Sequence, residues 1–188
     1  PNFDLKPETN ASHELDFSFG KKDRTFVVNA SVFSRKEKDV FVYNWDNRKF
    51  LNVESNKVKG VELGVQYHFN EKVNVGGNFS FAEKDNPATR LRSPKQRANA
   101  FLEILPIKNN RINISYQYTS KRYDSSSFST KNVELEAFHL FNLNINQKIT
   151  KSLDTYLNVG NVLNTSYTDV IGYTTKPRNI TLGVEYKF

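Results

Sequence analysis

Most catalytic and metal sites are built from cysteine, histidine and acidic side chains, and this chain offers few of them in usable arrangements. Among its 188 residues there is no Cys, so neither a disulfide framework nor a thiolate metal site is available. The three histidines, His13, His68 and His139, lie on different predicted strands, with no carboxylate at metal-ligand spacing. We therefore predict no catalytic residue, no metal site and no cofactor.

Two further patterns look like functional motifs but lack the context that the chemistry needs. Asp124 precedes Ser125–Ser127 in a predicted outer loop, and a hydrolase would need a histidine converging on them. A serine-rich segment is ordinarily a solvated loop. Gly160, in NVGNVLN, follows a strand pattern with no helix after it, so it does not open a phosphate-binding turn. The sequence therefore predicts a protein that is not an enzyme.

Aromatic, arginine and polar side chains in the predicted long loops are better suited to recognition than to catalysis. An aromatic ring can stack on a planar macrocycle, and arginine can bind phosphate or amide oxygens. We expect a ligand-binding surface there, and the alternative is an ordinary band of interface aromatics and solvated loop residues. The candidate ligand-binding residues are Tyr43, Trp45, Asp46, Asn47, Arg90, Arg92, Tyr123, Asp124, Phe128 and Tyr173.

The segments that must position these loops alternate between apolar and polar residues. In the final segment, RNITLGVEYKF, the residues Ile180, Leu182, Val184, Tyr186 and Phe188 are apolar and those between them are polar or small. A period of two indicates strands with one apolar and one polar face, and no helical period of comparable length competes. The alternation predicts nine strands, at about 11–20, 24–43, 49–69, 73–83, 95–105, 110–122, 133–149, 153–163 and 178–188.

The connections between the predicted strands alternate strictly between short and long. Several strands also exceed the roughly 9–11 residues that cross a bilayer when tilted. Both properties are typical of outer-membrane barrels, which have short periplasmic turns and long outer loops. We therefore predict an all-β fold, an antiparallel transmembrane β-barrel. The short connections lie around 20–24, 69–73, 105–110 and 149–153, and the long ones around 43–50, 83–95, 122–133 and 163–178.

Aromatic residues are predicted near both ends of the strands, as the two interfacial girdles of a barrel require. We expect His68 to line the lumen near the periplasm and His139 to lie at the outer interface. The aromatics at the short-turn end are Tyr67, Phe69, Tyr186 and Phe188, and those toward the long-loop end are Tyr116, Tyr118 and Tyr123.

Composition narrows the class further. The net charge is +7, but Lys and Arg are spread along the chain without a dense basic block, so we expect no nucleic-acid partner. The chain has no Met and opens without a signal peptide, and nine is an odd number of strands, whereas single-chain bacterial barrels have an even number. We therefore expect residues 1–188 to be the C-terminal part of a larger barrel, which should not close by itself.

Four segments in order resemble motifs of TonB-dependent outer-membrane receptors. The opening PNFDLKPETNASHEL resembles the family's Asn-Pro-x-Leu-Lys-Pro-Glu motif, and NVESNKVKGVELGVQYHF resembles its strand ending in Gly-Val-Glu. NVGNVLNTSYTD resembles Asn-Leu-Phe-Asp-x-x-Tyr, although the sequence here reads Asn161-Val162-Leu163-Asn164. GYTTKPRNITLGVEYKF resembles the ending with a terminal Phe.

The resemblance implies a barrel of about 22 strands with an N-terminal plug domain, of which the plug and the N-terminal strands are absent here. It also implies active uptake of a small molecule in the outer membrane of a Gram-negative bacterium. The implied partners are the plug and remaining barrel, the TonB complex, outer-membrane lipids and the barrel assembly machinery, with a surface lipoprotein as an open case. Tyr186 and Phe188 would form the assembly signal that this machinery reads.

The substrate is expected to be a corrinoid. Within the family, RLRSPKQRANAFLEI, INISYQYTSKRYDSSSF and TDVIGYTTKPRNITL resemble segments of the cobalamin-transporting members in order and spacing. A siderophore or haem receptor is the alternative within transport, since siderophore receptors share related strands. From another class, the alternatives are a non-transport outer-membrane adhesin and a soluble β-barrel or sandwich binding module.

Overall fold

The fold was taken from a computed structural model, which describes residues 2–21, 25–44, 46–125 and 132–188. These residues form eleven strands and one short 3-10 helix at Pro87–Thr89. No helix in this part of the chain is both long and apolar enough to cross a membrane. The strands are β1 Thr9–Gly20, β2 Phe26–Asn44, β3 Lys49–Asn70, β4 Val73–Lys84, β5 Gln96–Ile104, β6 Asn110–Thr119, β7 Arg122–Ser125, β8 Asn132–Leu135, β9 Phe138–Lys148, β10 Leu153–Gly160 and β11 Asn179–Tyr186.

Nine strands form one antiparallel sheet in the order β1-β2-β3-β4-β5-β6-β9-β10-β11. Each strand of this sheet pairs with the next one in the order given. β7 and β8, which lie between β6 and β9 in the sequence, pair with each other in a separate two-stranded hairpin. The nine-stranded sheet confirms the predicted fold class. Within the described chain β1 pairs only with β2 and β11 only with β10, so the two edges do not close on each other.

Two predicted strands are wrong at their outer ends. The alternation predicted continuous strands at 110–122 and 133–149, but the ladder stops at Thr119 and resumes at Phe138. The hairpin bends away there because two of its side chains, Arg122 and Asp124, find partners in the β10–β11 connection. The predicted strand 153–163 likewise ends early, at Gly160, because Asn161 turns the backbone with a φ of 50°.

One face of the sheet is continuously apolar across all nine strands. Directly opposed residues such as Phe17, Ala30, Leu63, Phe79 and Ala98 share this face. Only three hydrophobic residues in the described chain are buried, so there is no hydrophobic core of the kind that a soluble domain needs. A single-layer sheet with an exposed apolar face is the construction of a membrane barrel rather than a sandwich.

The opposite face carries polar side chains that bond to one another across strands. Asn113, Asn144 and Asn158 stand in one cross-strand row, and the Asn99 amide donates to Asn78 Oδ1 at 2.9 Å. Two aromatic rings also lie on this face, each directly over a glycine of the neighbouring strand. A Cβ on Gly60 would overlap the Phe33 ring, and one on Gly183 would overlap the Tyr156 ring. Glycine is thus required here by the close approach of a ring rather than by backbone conformation.

Candidate functional site

The long connections all lie at one end of the sheet, because successive antiparallel strands bring alternate connections to the same edge. As the sequence predicted, the short turns lie at the opposite end. The predicted strict alternation of short and long connections is wrong at one place, because the β2–β3 turn spans only the four positions between Asn44 and Lys49. The connections at this end are the β2–β3 turn, residues 85–95, the β7–β8 hairpin with its flanks, and residues 161–178. The last three of these are bonded together into a unit that we call the loop clasp, defined by Arg92, Arg122, Asp124, Asp169 and Ile171.

Asp124 is the centre of the loop clasp, and its side chain is fully buried. Its Oδ1 accepts from Arg92 Nε at 2.7 Å and from its neighbour's amide, Ser125 N–H, at 2.8 Å. Its Oδ2 accepts from the Ile171 N–H at 2.9 Å. The Arg92 N–H also donates to the Tyr123 carbonyl at 2.7 Å. One carboxylate thereby joins the β4–β5 connection, the hairpin and the β10–β11 connection.

The ionisation of Asp124 follows from these bonds. Burial alone would raise its pKa, but the hydrogen bonds from Ile171, Arg92 and Ser125 and the Arg92 charge outweigh that effect and hold the pKa of Asp124 below its ordinary value. The carboxylate is therefore charged at neutral pH, which is the form that accepts all three bonds.

Arg122 makes the second attachment within the loop clasp. Its Nη2 donates to the Thr168 carbonyl at 2.9 Å, to the Asp169 carbonyl at 3.0 Å and to Asp169 Oδ1 at 2.8 Å. The guanidinium lies over the Phe138 ring, 5.2 Å from its centroid, and Phe138 in turn packs against Tyr167 with centroids 4.5 Å apart. A charge buried this deeply needs such pairing to be tolerated.

The loop clasp uses several of the candidate ligand-binding residues for internal bonds. Arg92 and Asp124 pair with each other, and Arg90 donates to the carbonyls of Lys84 and Asp85 at 2.8 and 2.9 Å. Tyr123, by contrast, is 46% exposed, and Tyr173 is 75% exposed.

The β2–β3 turn holds the remaining candidates. Tyr43 packs edge-on against Phe50 at 5.2 Å. The backbone amides of Asp46 and Asn47 both donate to Asn44 Oδ1, which closes the turn. Trp45 and Phe128 lie outside the described residues.

Sequence reasoning missed Arg122 as a site residue. It lies at the end of a predicted strand, where an arginine is ordinarily solvated, yet only 4% of it is exposed. In the segment that carries it, SYQYTSKRYDSSSF, the predicted ligand-binding residues are only Tyr123, Asp124 and Phe128. The available signal is that an arginine and an aspartate, Arg122 and Asp124, stand two positions apart in this segment.

His139 and His68 lie near opposite ends of the sheet, as the sequence predicted. His139 stacks between Tyr116 and Tyr118 near the long-loop end, with centroids 5.9 and 4.8 Å away, and its Nδ1 lies 2.8 Å from the Tyr116 hydroxyl. His68 lies near a short turn, where its Nε2 is 3.2 Å from Gln66 Nε2. No group of three or more potential metal ligands occurs among the residues that the structure describes.

Comparison with known proteins gave one family match and several relatives. A family model described as "TonB dependent receptor-like, beta-barrel" matches residues 1–162. The vitamin B12 transporter BtuB of Vibrio cholerae is 25% identical over 194 residues, covering 100% of this chain and 31% of the transporter. The chain thus spans about a third of the length of the curated relatives that it matches.

Solved structures with the same fold include two receptors of different bacteria. The ferric-catecholate import receptor Fiu of Escherichia coli superposes with a TM-score of 0.79 at 17% identity, covering 100% of this chain and 29% of the receptor. The ferripyoverdine receptor of Pseudomonas aeruginosa gives 0.79 at 15% identity, covering 98% of this chain and 28% of that protein. At these identities the likeness extends to the fold alone.

Proposed function

Since this chain belongs to the TonB-dependent receptor β-barrel family, we propose that it is the C-terminal part of a receptor that takes up a small molecule actively. Receptors of this family lie in the outer membrane of Gram-negative bacteria, and that is the location of this protein. The family is one of transport receptors rather than enzymes.

One observation carries the proposal most strongly: the sheet is a single layer with lipid-compatible side chains on one face and hydrogen-bonding side chains on the other. The apolar face leaves Leu15, Ile180 and Leu182 at 75%, 66% and 78% exposure. Burying such side chains in lipid is favourable, whereas a polar inner wall needs hydrogen-bonding partners. In the proposed receptor those partners belong to a plug domain seated inside the barrel.

Uptake would begin at the loop end and finish in the periplasm. The loops capture the substrate, and the TonB complex then pulls on the plug so that the substrate can pass. The barrel assembly machinery and a surface lipoprotein are proposed as further partners, on the strength of the resemblance alone.

We propose a corrinoid such as cobalamin as the substrate. The support is the 25% identity to the Vibrio transporter over the whole of this chain, together with the resembling segments in the loops. A siderophore is the second candidate, because the solved receptors with the same fold import ferric-catecholate or bind ferripyoverdine.

The candidate residues divide into those proposed to touch the ligand and those proposed to position the loops. Tyr123 and Tyr173 are exposed enough to meet a ligand directly, and Trp45 and Phe128 stay in the proposal without a described position. Direct contact is also proposed for Tyr43, Asp46, Asn47 and Arg90. Arg92 and Asp124 are proposed to act by positioning the loops, because their charged groups bond to each other.

Uptake by the intact receptor tests the proposal. Cells expressing the full-length gene would be given labelled cyanocobalamin or a labelled ferric siderophore, with and without a functional TonB complex. We expect TonB-dependent uptake of cyanocobalamin. Uptake of only the siderophore would reject the corrinoid assignment, and a full-length gene without a plug upstream would reject the receptor itself.

A further inference from the structure

A cavity of about 560 Å³ lies at the long-loop end of the sheet, between the ends of β4, β5 and β6 and the β7–β8 hairpin. Its size is that of a small-molecule site, for which about 300–1,000 Å³ is usual. The charged residues that line it are Lys84, Arg90, Lys95, Lys121, Arg122 and Glu134.

The side chains that line this cavity include five cations and a single carboxylate. Lys121 is paired with Glu134 at 3.0 Å and Glu136 at 3.4 Å, and Lys95 is paired with Glu83. When Glu83, Glu136 and Asp169 are counted together with Glu134, the five cations still exceed the carboxylates by one. A cleft with an excess of cationic side chains attracts anions.

Arg122 lines the cavity, and one of its nitrogens is an unused donor. Its side chain is 3% exposed, and its Nη1 has no hydrogen-bond partner among the described residues. Its Nη2, by contrast, has three acceptors within 3.0 Å, all in the β10–β11 connection. Buried side-chain donors almost always have a partner, so one left open beside a cationic cavity indicates a missing acceptor.

We propose that this cavity binds an oxyanion, the phosphate or carboxylate group of a larger molecule, with Arg122 Nη1 as the central donor. A guanidinium offers two nitrogens in a fixed fork, and here one holds the loop while the other is buried without an acceptor. The nearby lysines supply the long-range attraction. The inference rests on the fold and the cavity and does not require that the receptor transport a corrinoid.

Two molecules could present such a group at this end of a barrel: a soluble substrate, or a phosphorylated lipid of the surrounding leaflet. The two share the same oxygen chemistry, so the experiment needs an arm for each. In the first, inorganic phosphate is titrated by calorimetry into the full-length receptor in neutral detergent at constant ionic strength. In the second, the receptor in zwitterionic nanodiscs is titrated with a phosphate-bearing lipid, and bound lipid is read by native mass spectrometry.

Three variants make the result specific. Arg122→Lys keeps the charge but removes the forked donor, and we expect about tenfold weaker binding, as for loss of a charged hydrogen bond. Lys95→Gln changes a half-exposed side chain in a surface ion pair, so folding is unaffected, and we expect about threefold weaker binding. Lys108→Gln, exposed at the opposite end of the sheet, is the matched control and should bind like the wild type.

Each outcome decides the proposal. Saturable phosphate binding that both variants weaken supports a site for a soluble anion. Lipid binding with the same pattern and no phosphate binding supports the lipid headgroup as occupant. Binding in neither arm, or binding unchanged in the variants, overturns the site. If Arg122→Lys does not fold, Lys95→Gln against Lys108→Gln gives the same decision.

Discussion

Replacing Asp124 with asparagine should release the β10–β11 connection from the rest of the loop clasp. The Asp124→Asn side chain has the same shape, but only one of its two ends can accept a hydrogen bond. If the amide oxygen keeps the bonds from Arg92 and Ser125, the amide nitrogen faces the Ile171 N–H, and two donors meet. The Ile171 N–H then loses its only acceptor within the loop clasp.

The size of the effect follows from the lost bond. A hydrogen bond to a charged group contributes about 1.5–3 kcal/mol, and a buried donor left unpaired costs about 1–3 kcal/mol. The lost hydrogen bond and the unpaired donor partly describe the same loss, so their energies are not simply added. We take about 3 kcal/mol as the decrease in the free energy needed to open the β10–β11 connection. Because about 1.4 kcal/mol is a factor of ten, the open population rises by about a hundredfold.

Hydrogen exchange at the Ile171 amide measures this opening directly. In the full-length receptor at neutral pH, exchange at Ile171 should accelerate by about a hundredfold in Asp124→Asn, while amides in the nine-stranded sheet stay unchanged. Asp46→Asn, the same substitution in the β2–β3 turn, should leave Ile171 at its original rate. An unchanged Ile171 rate in Asp124→Asn would mean that Asp124 does not hold the loops together.

Three further predictions concern pH, packing and assembly. The folded pKa of Asp124 lies below its ordinary value of about 3.9. Its contribution to the stability of the loop clasp is therefore complete above about pH 4 and disappears as the pH falls through the folded pKa. Ile171 exchange, corrected for intrinsic rate, should therefore rise below about pH 4 in the wild type but not in Asp124→Asn. Gly183→Ala, whose Cβ meets the Tyr156 ring, should lower the free energy of unfolding by about 1–3 kcal/mol, measured as a lower midpoint of urea unfolding. An unaltered midpoint would contradict that overlap. Gly64→Ala, whose Cβ would have nothing within 4 Å, is the control. Phe188→Asp should reduce the inserted receptor, read as heat-modifiable protein in outer-membrane fractions, without changing ligand affinity, and normal insertion would count against an assembly role for Phe188.

The strands were predictable because their pattern is periodic and local. Every second residue must suit lipid, so segments such as Ile180 to Phe188 show the fold in their own composition. The alternation of short and long connections then fixed which end carries the loops. Individual strand boundaries were not predictable in this way. The early end of β10 at Gly160, for example, is set by the single turn residue Asn161.

The loop clasp was not predictable in the same way. Arg92 meets Asp124 across 32 positions, and Asp124 meets Ile171 across 47. Contacts between irregular segments leave no period in the sequence, and a buried Arg122 looks like any loop arginine until its neighbours are placed. Exposure, which separates Tyr123 and Tyr173 from the occupied residues, likewise depends on the assembled loops.

The single carboxylate at the centre of the loop clasp has a consequence for engineering. Because Asp124 joins the β4–β5 connection, the hairpin and the β10–β11 connection, these three segments are one exchangeable block. A chimera that takes only one of them from a relative would combine a donor from one parent with an acceptor site from the other. Transplanting residues 85–95, 120–137 and 161–178 together preserves every bond of the loop clasp and leaves the β2–β3 turn free for independent variation.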